Sequence, residues 1–379
     1  MAYAFHTQPR GGEMISIEER WSRSDTVDFA FIRRSHDYGR TWTAPVARAT
    51  GERRSDGTLR RHPRCGFVDK HRRYLEFWCE GVLPSDDPLE GLRQWNIYFH
   101  VSRDGGRTFD APTQVIHAGA EFSSGHPLPG VWTGKNCVMI GEMTCVPIHT
   151  PDHGILIPVE ITPLAPNGQL YNPAGTRSYT EALVLQGKWQ GSRLEWSASE
   201  PIRGDPEQST RGMDEPTIEY LEGGRLLMVL RGSNDRRPEL PSYRWFSLSH
   251  DGGKRWTRVQ PRTYDDGQKF FSPSACSQLL RHPSGRLFWF GNITSENPHG
   301  NRPRYPFVMG EVDRVTGLLR RASIRTIDTL NFYARVDRRT REIALHMTRL
   351  FARSEEWAGD AYLTESPSEA FFGRKRKAL

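Results

Sequence analysis

The sequence lacks any long apolar run, and this absence argues against a membrane-spanning helix. The longest apolar stretches, at 155–161 and 226–230, are far shorter than the ~18 residues that a span requires. Long tracts of alanine, glutamate, lysine and leucine are also missing, which argues against a helical bundle or a coiled coil. We therefore expect neither a membrane partner nor a helical scaffold.

Cysteine is scarce, and its arrangement argues against a disulfide framework or a zinc site. The five cysteines form no CxxC pair and are an odd number: Cys65, Cys79, Cys137, Cys145 and Cys276. Buried structural thiols are the simpler expectation. His149 and His153 have a spacing that suits a metal on a helix, but the prolines around them favour a turn. We expect no metal and no cofactor.

The N-terminus also lacks the uninterrupted apolar centre of a signal peptide, because polar residues and a proline interrupt residues 6–10. The expectation is a cytoplasmic protein, or a secreted one if a leader is missing. The chain has 52 Lys and Arg against 45 Asp and Glu, a formal net charge of +7. Apart from the basic tail at 374–377, the positive charges are scattered among acids without a nucleic-acid motif. We expect no nucleic-acid partner.

Turn-forming and aromatic residues are plentiful instead. The chain of 379 residues contains 35 Gly and 26 Pro, and 11% of it is aromatic. Apolar residues make up 36%, which is enough for a packed core and excludes a disordered chain. Frequent turns between aromatic-rich segments favour an all-β protein.

A repeated box organises the chain. The pattern S-x-D-x-G-x-T-W occupies residues 35–42, recurs with Phe at 102–109, and recurs in varied form at 249–256. A weakened copy, GSRLEW, lies at 191–196 and lacks the Asp of the box. Each full copy follows a β-rich segment, which is typical of a hairpin in which Asp and Ser bond neighbouring backbone amides. The Ser-His-Asp triplets inside two boxes are therefore structural, since consecutive turn residues cannot converge on one reacting atom.

The box spacing predicts a propeller. Units of about 60 residues divide the chain into roughly six, a size that fits four-stranded blades with loops. No linker splits the chain, so we predict one domain over residues 1–379. Further strand pairs are predicted at 66–68 with 74–78, 143–148 with 154–161, 217–220 with 225–230, and 277–280 with 286–290.

The boxes resemble those of sialidases (neuraminidases), whose fold is a six-bladed β-propeller of BNR repeats. Residues 214–231, DEPTIEYLEGGRLLMVLR, resemble the sialidase segment in which a glutamate opens one strand and an arginine ends the next. This resemblance implies that Glu215 is the base that activates the nucleophile and that Arg231 binds the substrate carboxylate. Arg304 resembles another carboxylate-binding arginine, with Arg302 as its competitor, and Tyr333 resembles the tyrosine nucleophile.

The chemistry explains this combination of residue types. Sialic acid carries a carboxylate on its anomeric carbon, so a neutral Tyr activated by Glu meets less repulsion than an attacking carboxylate would. Arginine forks bind the carboxylate in bidentate fashion. The family's general acid lies on a loop shortly before the first box, where Asp25 fits best and Asp28 second.

One part of the family pattern is missing. The Arg-Ile-Pro strand that supplies the first carboxylate-binding arginine would place that arginine at about Met1, and the nearest arginine is Arg10. Either the chain starts late, or the pocket has two of the three arginines and takes a different sugar. Losing one bidentate arginine would leave the buried substrate carboxylate without one of its partners, at a cost of about 2–5 kcal/mol in binding free energy.

The resemblance implies a retaining exo-glycosidase that removes a terminal sialic acid or a similar acidic sugar from glycans. Two alternatives remain open: a glycan-binding propeller without turnover, and a hydrolase or lyase that acts on another uronic-acid glycan. The expected partner is a glycan or an acidic sugar. The oligomeric state stays open.

Overall fold

The computed structural model describes residues 2–9, 12–22 and 25–328, together with the backbone of three later strands at 333–337, 342–348 and 361–367. β-structure dominates throughout. Within these residues the helical segments are one α-turn, α1 (Gly91–Gln94), and three 3₁₀ turns, Pro88–Glu90, Glu222–Gly224 and Arg321–Ser323. None of these helices is long and apolar enough to cross a membrane.

The strands form consecutive antiparallel sheets along the chain. Sheet 1 contains β1 (Ala2–His6), β2 (Met14–Arg20), β3 (Phe29–Ser35) and β4 (Val46–Arg48). Sheet 2 contains β5 (Gly51–Arg54), β6 (Gly57–Val68), β7 (Tyr74–Leu83), β8 (Asn96–Ser102) and β9 (Thr113–Gln114). Sheet 3 contains β10 (Val138–Met139), β11 (Ile148–His149), β12 (Ile155–Ile161), β13 (Glu181–Gln190) and β14 (Arg193–Ala198).

The remaining sheets follow the same pattern. Sheet 4 contains β15 (Asp214–Tyr220), β16 (Leu226–Arg231), β17 (Arg244–Ser249) and β18 (Gln260–Pro261). Sheet 5 contains β19 (Gln278–Arg281), β20 (Leu287–Asn292), β21 (Phe307–Val312) and β22 (Arg325–Asp328). A three-stranded sheet then contains β23 (Tyr333–Asp337), β24 (Glu342–Thr348) and β25 (Ala361–Pro367).

Neighbouring sheets contact one another through their strands, as in a propeller. β1 lies against β6, β8 against β10, β12 against β15, and β15 against β19. The all-β propeller is thus confirmed. The prediction of six four-stranded blades needs correction, because among the described residues five sheets have four or five strands and the last sheet has three.

Local sequence predicted most strand pairs correctly, and one incorrectly. The strand pairs β6–β7, β15–β16 and β19–β20 lie where the pattern of alternating and apolar residues predicted them. The strand predicted at 143–148 is wrong for 143–147, where the amide of Cys145 donates to the carbonyl of Glu142 in a turn. Pro147 supplies no amide for a ladder, so pairing begins only at Ile148. This turn brings Glu142 to the central cavity described below.

All five cysteines are buried and free, as expected for structural thiols. Burial raises the pKa of Cys137 to about 12. Such thiols stay protonated and unreactive near neutral pH.

The boxes are closed by side-chain bonds to the backbone. In the first box, Asp37 accepts from the Thr41 amide at 2.9 Å and from the Thr41 hydroxyl at 2.6 Å. The Ser35 hydroxyl donates to Asp37 at 2.8 Å and accepts from the Gly39 amide at 2.8 Å. Gly39 has a φ of +85°, which glycine adopts without the strain that a Cβ would add. The Thr41 and Ser35 bonds lower the pKa of Asp37 to about 2.

Removing the Asp37 carboxylate should destabilise the first hairpin in a pH-dependent way. The lowered pKa means that the stabilisation is present above the unfolded value near 3.8 and is lost as pH falls through about 2. We expect Asp37→Ala to lower Tm by a few degrees at pH 7, with the deficit shrinking between pH 4 and pH 2. Thermal unfolding of both proteins, measured across this pH range, tests the expected change in Tm. Asp56→Asn, in an exposed turn, is the matched control, and an equal deficit at pH 7 and pH 2 would contradict the account.

Candidate active site

Strands and connecting loops of all five larger sheets line a cavity of about 850 Å³. Four of the five site residues predicted from sequence line this cavity: Asp25, Glu215, Arg231 and Arg304. Tyr333 opens β23, and its side chain lies outside the described residues. Arg10, the nearest candidate for the first arginine, also lies outside them. The fold therefore brings together residues that are up to 279 positions apart in the sequence.

A buried ion pair joins Glu215 and Arg231. The antiparallel register places Asp214 opposite Arg231, and the ladder is irregular between Asp214 and Thr217. Arg231 donates through Nη1 to Glu215 Oε1 and through Nε to the Ser274 hydroxyl at 2.7 Å. Glu215 and Arg231 are 7% and 6% exposed, so each charge depends on the other for compensation.

The backbone of Glu215 is strained, with a φ of +44°. A non-glycine residue in this region costs of the order of 1–3 kcal/mol and persists only where its surroundings hold it. Here the Glu215 amide donates to Glu160 Oε2 at 3.0 Å. Glu215 Oε2 has no hydrogen-bond partner within the described residues, so this oxygen is available to accept a proton.

Asp214 lies beside this pair and between two arginines. Its Oδ2 is 3.6 Å from Arg211 Nη2 and 3.7 Å from Arg231 Nε. The Thr180 hydroxyl donates to its other oxygen. Asp214 thus helps to balance the positive charge at the start of β15.

Arg304 reaches the cavity from the loop between β20 and β21. It is 2% exposed, and its Nε donates to the Asn301 carbonyl at 3.3 Å. The Asn292 side chain donates to the Arg304 carbonyl at 2.7 Å and so fixes the loop. Arg302, the competing candidate, lines the same cavity. The structure therefore places both arginines at the site.

Asp25 lies at the cavity rim and is exposed. Its Oδ2 is 2.5 Å from Arg177 Nη2, an ion pair that joins the β2–β3 loop to the β12–β13 loop. The second candidate, Asp28, accepts from the Ser22 amide at 2.5 Å and is not among the residues that line the cavity. The geometry favours Asp25 over Asp28.

Sequence reasoning missed three buried carboxyl groups in this cavity, Glu19, Glu142 and Glu160. Burial raises the pKa of each of them. For Glu142 the pKa rises to about 7, because burial and the Glu215 charge outweigh the opposing effect of Arg64. For Glu160 the charges of Asp214 and Glu215 add to burial. The only local signal was a charged residue inside an apolar run, as at Glu160 in ILIPVEI.

The charge of the cavity favours an anionic ligand. Seven arginines line it, namely Arg20, Arg64, Arg177, Arg211, Arg231, Arg302 and Arg304. Seven acidic residues also line it, namely Glu19, Asp25, Glu142, Glu160, Asp214, Glu215 and Asp235. Because burial and neighbouring charges raise the pKa of Glu142 to about 7 and that of Glu160 well above its usual range, the arginines outweigh the ionised acids below neutral pH.

One wall of the cavity is apolar. Pro88, Leu89, Leu92 and Trp95, from the segment between β7 and β8, contribute apolar surface to the cavity. Apolar walls with a few convergent polar groups are typical of small-molecule sites. Within the described residues, no group of three His, Cys, Asp or Glu side chains is arranged to hold a metal.

Comparison with protein families gives one match over most of the chain. Residues 28–325 match the model of the BNR repeat-like domain. No curated protein sequence matches the chain.

Several solved structures share the fold at low sequence identity. A protein of unknown function from Dyadobacter fermentans is 15% identical with a TM-score of 0.62, covering 96% of this chain and 93% of that chain. A Hadza microbial sialidase is 12% identical with a TM-score of 0.63, over 95% and 64%. The α-L-arabinofuranosidase Arb93A from Fusarium graminearum is 13% identical with a TM-score of 0.57, over 98% and 94%.

Replacing Glu142 should change how stability depends on pH. Its raised pKa means that the folded protein holds a proton between about 4.5 and 7 that the unfolded chain releases. The wild type therefore loses stability as pH rises through this window. Between pH 4.5 and pH 8, we expect the free energy of unfolding of Glu142→Gln to rise by about 3 kcal/mol relative to that of the wild type. Denaturant unfolding at both pH values measures it, with the exposed Glu222→Gln as control. A pH-independent difference would contradict the raised pKa.

Proposed function

The chain belongs to the BNR repeat-like domain family, and we propose that it is a retaining exo-glycosidase that removes a terminal sialic acid or a similar acidic sugar from glycans. The observation that carries the proposal is the buried Glu215–Arg231 pair in a cavity that also contains Arg304. A base beside two arginines suits a substrate with a carboxylate next to its reacting carbon. The solved sialidases that share the fold support the proposal at the level of the superfamily.

Each residue has a role in this proposal. Arg231 and Arg304 bind the substrate carboxylate. Tyr333 attacks the anomeric carbon, and Glu215 takes the phenolic proton through its unpartnered Oε2. Asp25 protonates the leaving oxygen and then activates the water that hydrolyses the glycosyl-enzyme.

The ion pairs prepare these groups for the reaction. Arg231 holds Glu215 through one oxygen and leaves the other for proton transfer. Asp25 is exposed and paired with Arg177, so an incoming substrate would have to loosen this pair before Asp25 reaches the leaving oxygen. The proposal therefore includes a small movement of the β2–β3 loop on binding.

We also infer a single sialidase-like propeller domain over residues 1–379 in which β23–β25 form the sixth blade. The supporting observation is that β23 contacts β19 of sheet 5 and β24 contacts β1 of sheet 1. A sheet between these two neighbours would complete the ring, and Tyr333 would then begin its first strand.

A second candidate is an exo-hydrolase of a neutral furanoside. The observation that favours it is length: the chain covers 94% of the arabinofuranosidase and 92% of an arabinanase from Penicillium chrysogenum, against 64% and 54% of two sialidases. This reaction would use two carboxyl groups, with the raised pKa of Glu142 suiting an acid and Glu215 acting as nucleophile.

Fluorophore release separates these candidates. We expect turnover of an α-linked sialoside and little turnover of an α-L-arabinofuranoside. Tyr333→Phe and Glu215→Gln should each lower kcat by about 100-fold or more, because they remove the nucleophile and its base. Initial rates at matched concentrations of folded protein give the result.

The matched controls are Tyr98→Phe and Glu222→Gln, which make the same chemical changes away from the cavity. Preference for the arabinofuranoside would overturn the acidic-sugar proposal in favour of the second candidate. An unsaturated product that absorbs in the ultraviolet would indicate a lyase. Binding of sialic acid without release of fluorophore would indicate a glycan-binding propeller.

A further inference from the structure

Arg64 occupies an unusual position in the cavity. It lies on β6 at a break in the ladder, where the pairing of β6 with β7 shifts between Pro63 and Cys65. Arg64 lines the cavity together with His62, which lies two positions earlier on the same face of the strand. Its guanidinium is anchored by backbone carbonyls, with Nε donating to Ile140 at 2.8 Å and Nη1 to Pro63 at 3.3 Å.

Within the described part of the chain, Arg64 forms no ion pair with a carboxylate, although the charges of Glu142 and Glu19 act on it. Its guanidinium also contacts His62, with Nη2 3.2 Å from His62 Nδ1, and the Cys79 thiol. Burial and the Arg64 charge hold the pKa of His62 well below its usual range, so His62 is a neutral acceptor. Arg177, Arg211 and Arg231, by contrast, each form an ion pair with an acidic side chain. A partly buried arginine without a carboxylate partner has charge to offer to a ligand.

Arg64 comes from a different sheet than Arg231 and Arg304. Arg64 comes from sheet 2, whereas Arg231 ends β16 of sheet 4 and Arg304 follows β20 of sheet 5. The carboxyl group of Glu142, from sheet 3, interacts with both Arg64 and Glu215. The charge of Arg64 favours the ionised form of Glu142, and the charge of Glu215 opposes it.

We propose that Arg64 is a second anion-binding point of the cavity, so that the preferred ligand is an acidic sugar carrying a second anionic substituent such as a sulfate ester. This inference rests on the proposed function for the first anionic group, the carboxylate at Arg231 and Arg304. The second group binds at Arg64, beside the apolar wall that includes Leu92 and Trp95.

Glu142 makes this binding sensitive to pH. Its pKa near 7 means that an ionised Glu142 repels an anion at Arg64 above neutral pH and a protonated one does not. The other groups that act on Glu142 are Glu19 and Glu215 from β2 and β15, and the thiols of Cys145 and Cys276. Burial raises the pKa of both thiols well above the usual range, so they stay neutral through this window.

Calorimetric titration with three probes tests the inference: inorganic sulfate, free sialic acid and a sulfate monoester of sialic acid. The wild type should bind the ester about tenfold or more tightly than the unsulfated sugar, as expected for one charge-assisted contact. Arg64→Met should abolish this preference, and Glu142→Gln should remove its pH dependence between pH 6 and pH 8. Arg61→Met, three positions earlier on β6 and paired with Glu80, is the matched control and should keep the wild-type preference.

The outcomes separate this inference from the proposed function. If neither sugar binds but Arg64→Met lowers the affinity for inorganic sulfate, the anion point stands and the acidic-sugar assignment fails. Equal sulfate and ester binding by the wild type and Arg64→Met would overturn the anion point and leave Arg64 a structural role beside Glu19 and Glu142. If Arg64→Met does not fold, Arg64→Gln removes the charge and keeps a polar side chain. A preference for the ester that persists in Arg64→Gln would overturn the proposal, and its loss would support it.

Discussion

The buried ion pair between Glu215 and Arg231 is the interaction on which the site depends. Both side chains are buried, so removing either charge would leave the other uncompensated in the interior. The pair requires the irregular start of β15, which tilts Glu215 into a positive φ. Glu160 from sheet 3 and Ser274 from the approach to sheet 5 complete its hydrogen bonds. Three neighbouring sheets are thereby joined around one ion pair.

Charge compensation around this pair shapes the whole cavity. Burial raises the pKa of Glu19, Glu142 and Glu160, and for Glu142 and Glu160 the charges of neighbouring carboxylates raise it further. Protonated carboxyl groups leave the arginines in excess, which creates a positive cavity within a protein whose surface charges are mixed. The same arrangement supplies a carboxyl group with a pKa of about 7, Glu142, on which the charges of Arg64 and Glu215 act. The proposed affinity for an anion and its proposed sensitivity to pH therefore share one physical origin.

Local chemistry was enough to predict much of the fold. The Asp37 box closes its hairpin through hydrogen bonds within seven residues, so the local sequence is enough to predict the turn. The strands β15 and β16 are joined by a tight glycine turn, as local turn chemistry predicted, and the resemblance of residues 214–231 to a sialidase segment singled out Glu215 and Arg231. The same local reasoning failed at 143–147, where a turn that presents Glu142 replaced an expected strand. It also missed Arg64, because strand alternation predicts which residues share a face but not which face lines the cavity.

The sequence by itself determined the all-β class, the hairpin boxes and the pairing of residues that are close along the chain, because these depend on turn chemistry and on side-chain alternation. Only the tertiary structure decided which distant side chains meet, since closure of the sheets around an axis brings Asp25, Glu142, Glu215 and Arg304 to one cavity. The protonation states were decided there too. A carboxyl group acquires a raised pKa from burial and from neighbouring charges, and for Glu142 those neighbours are 78 positions before it and 73 after it, at Arg64 and Glu215.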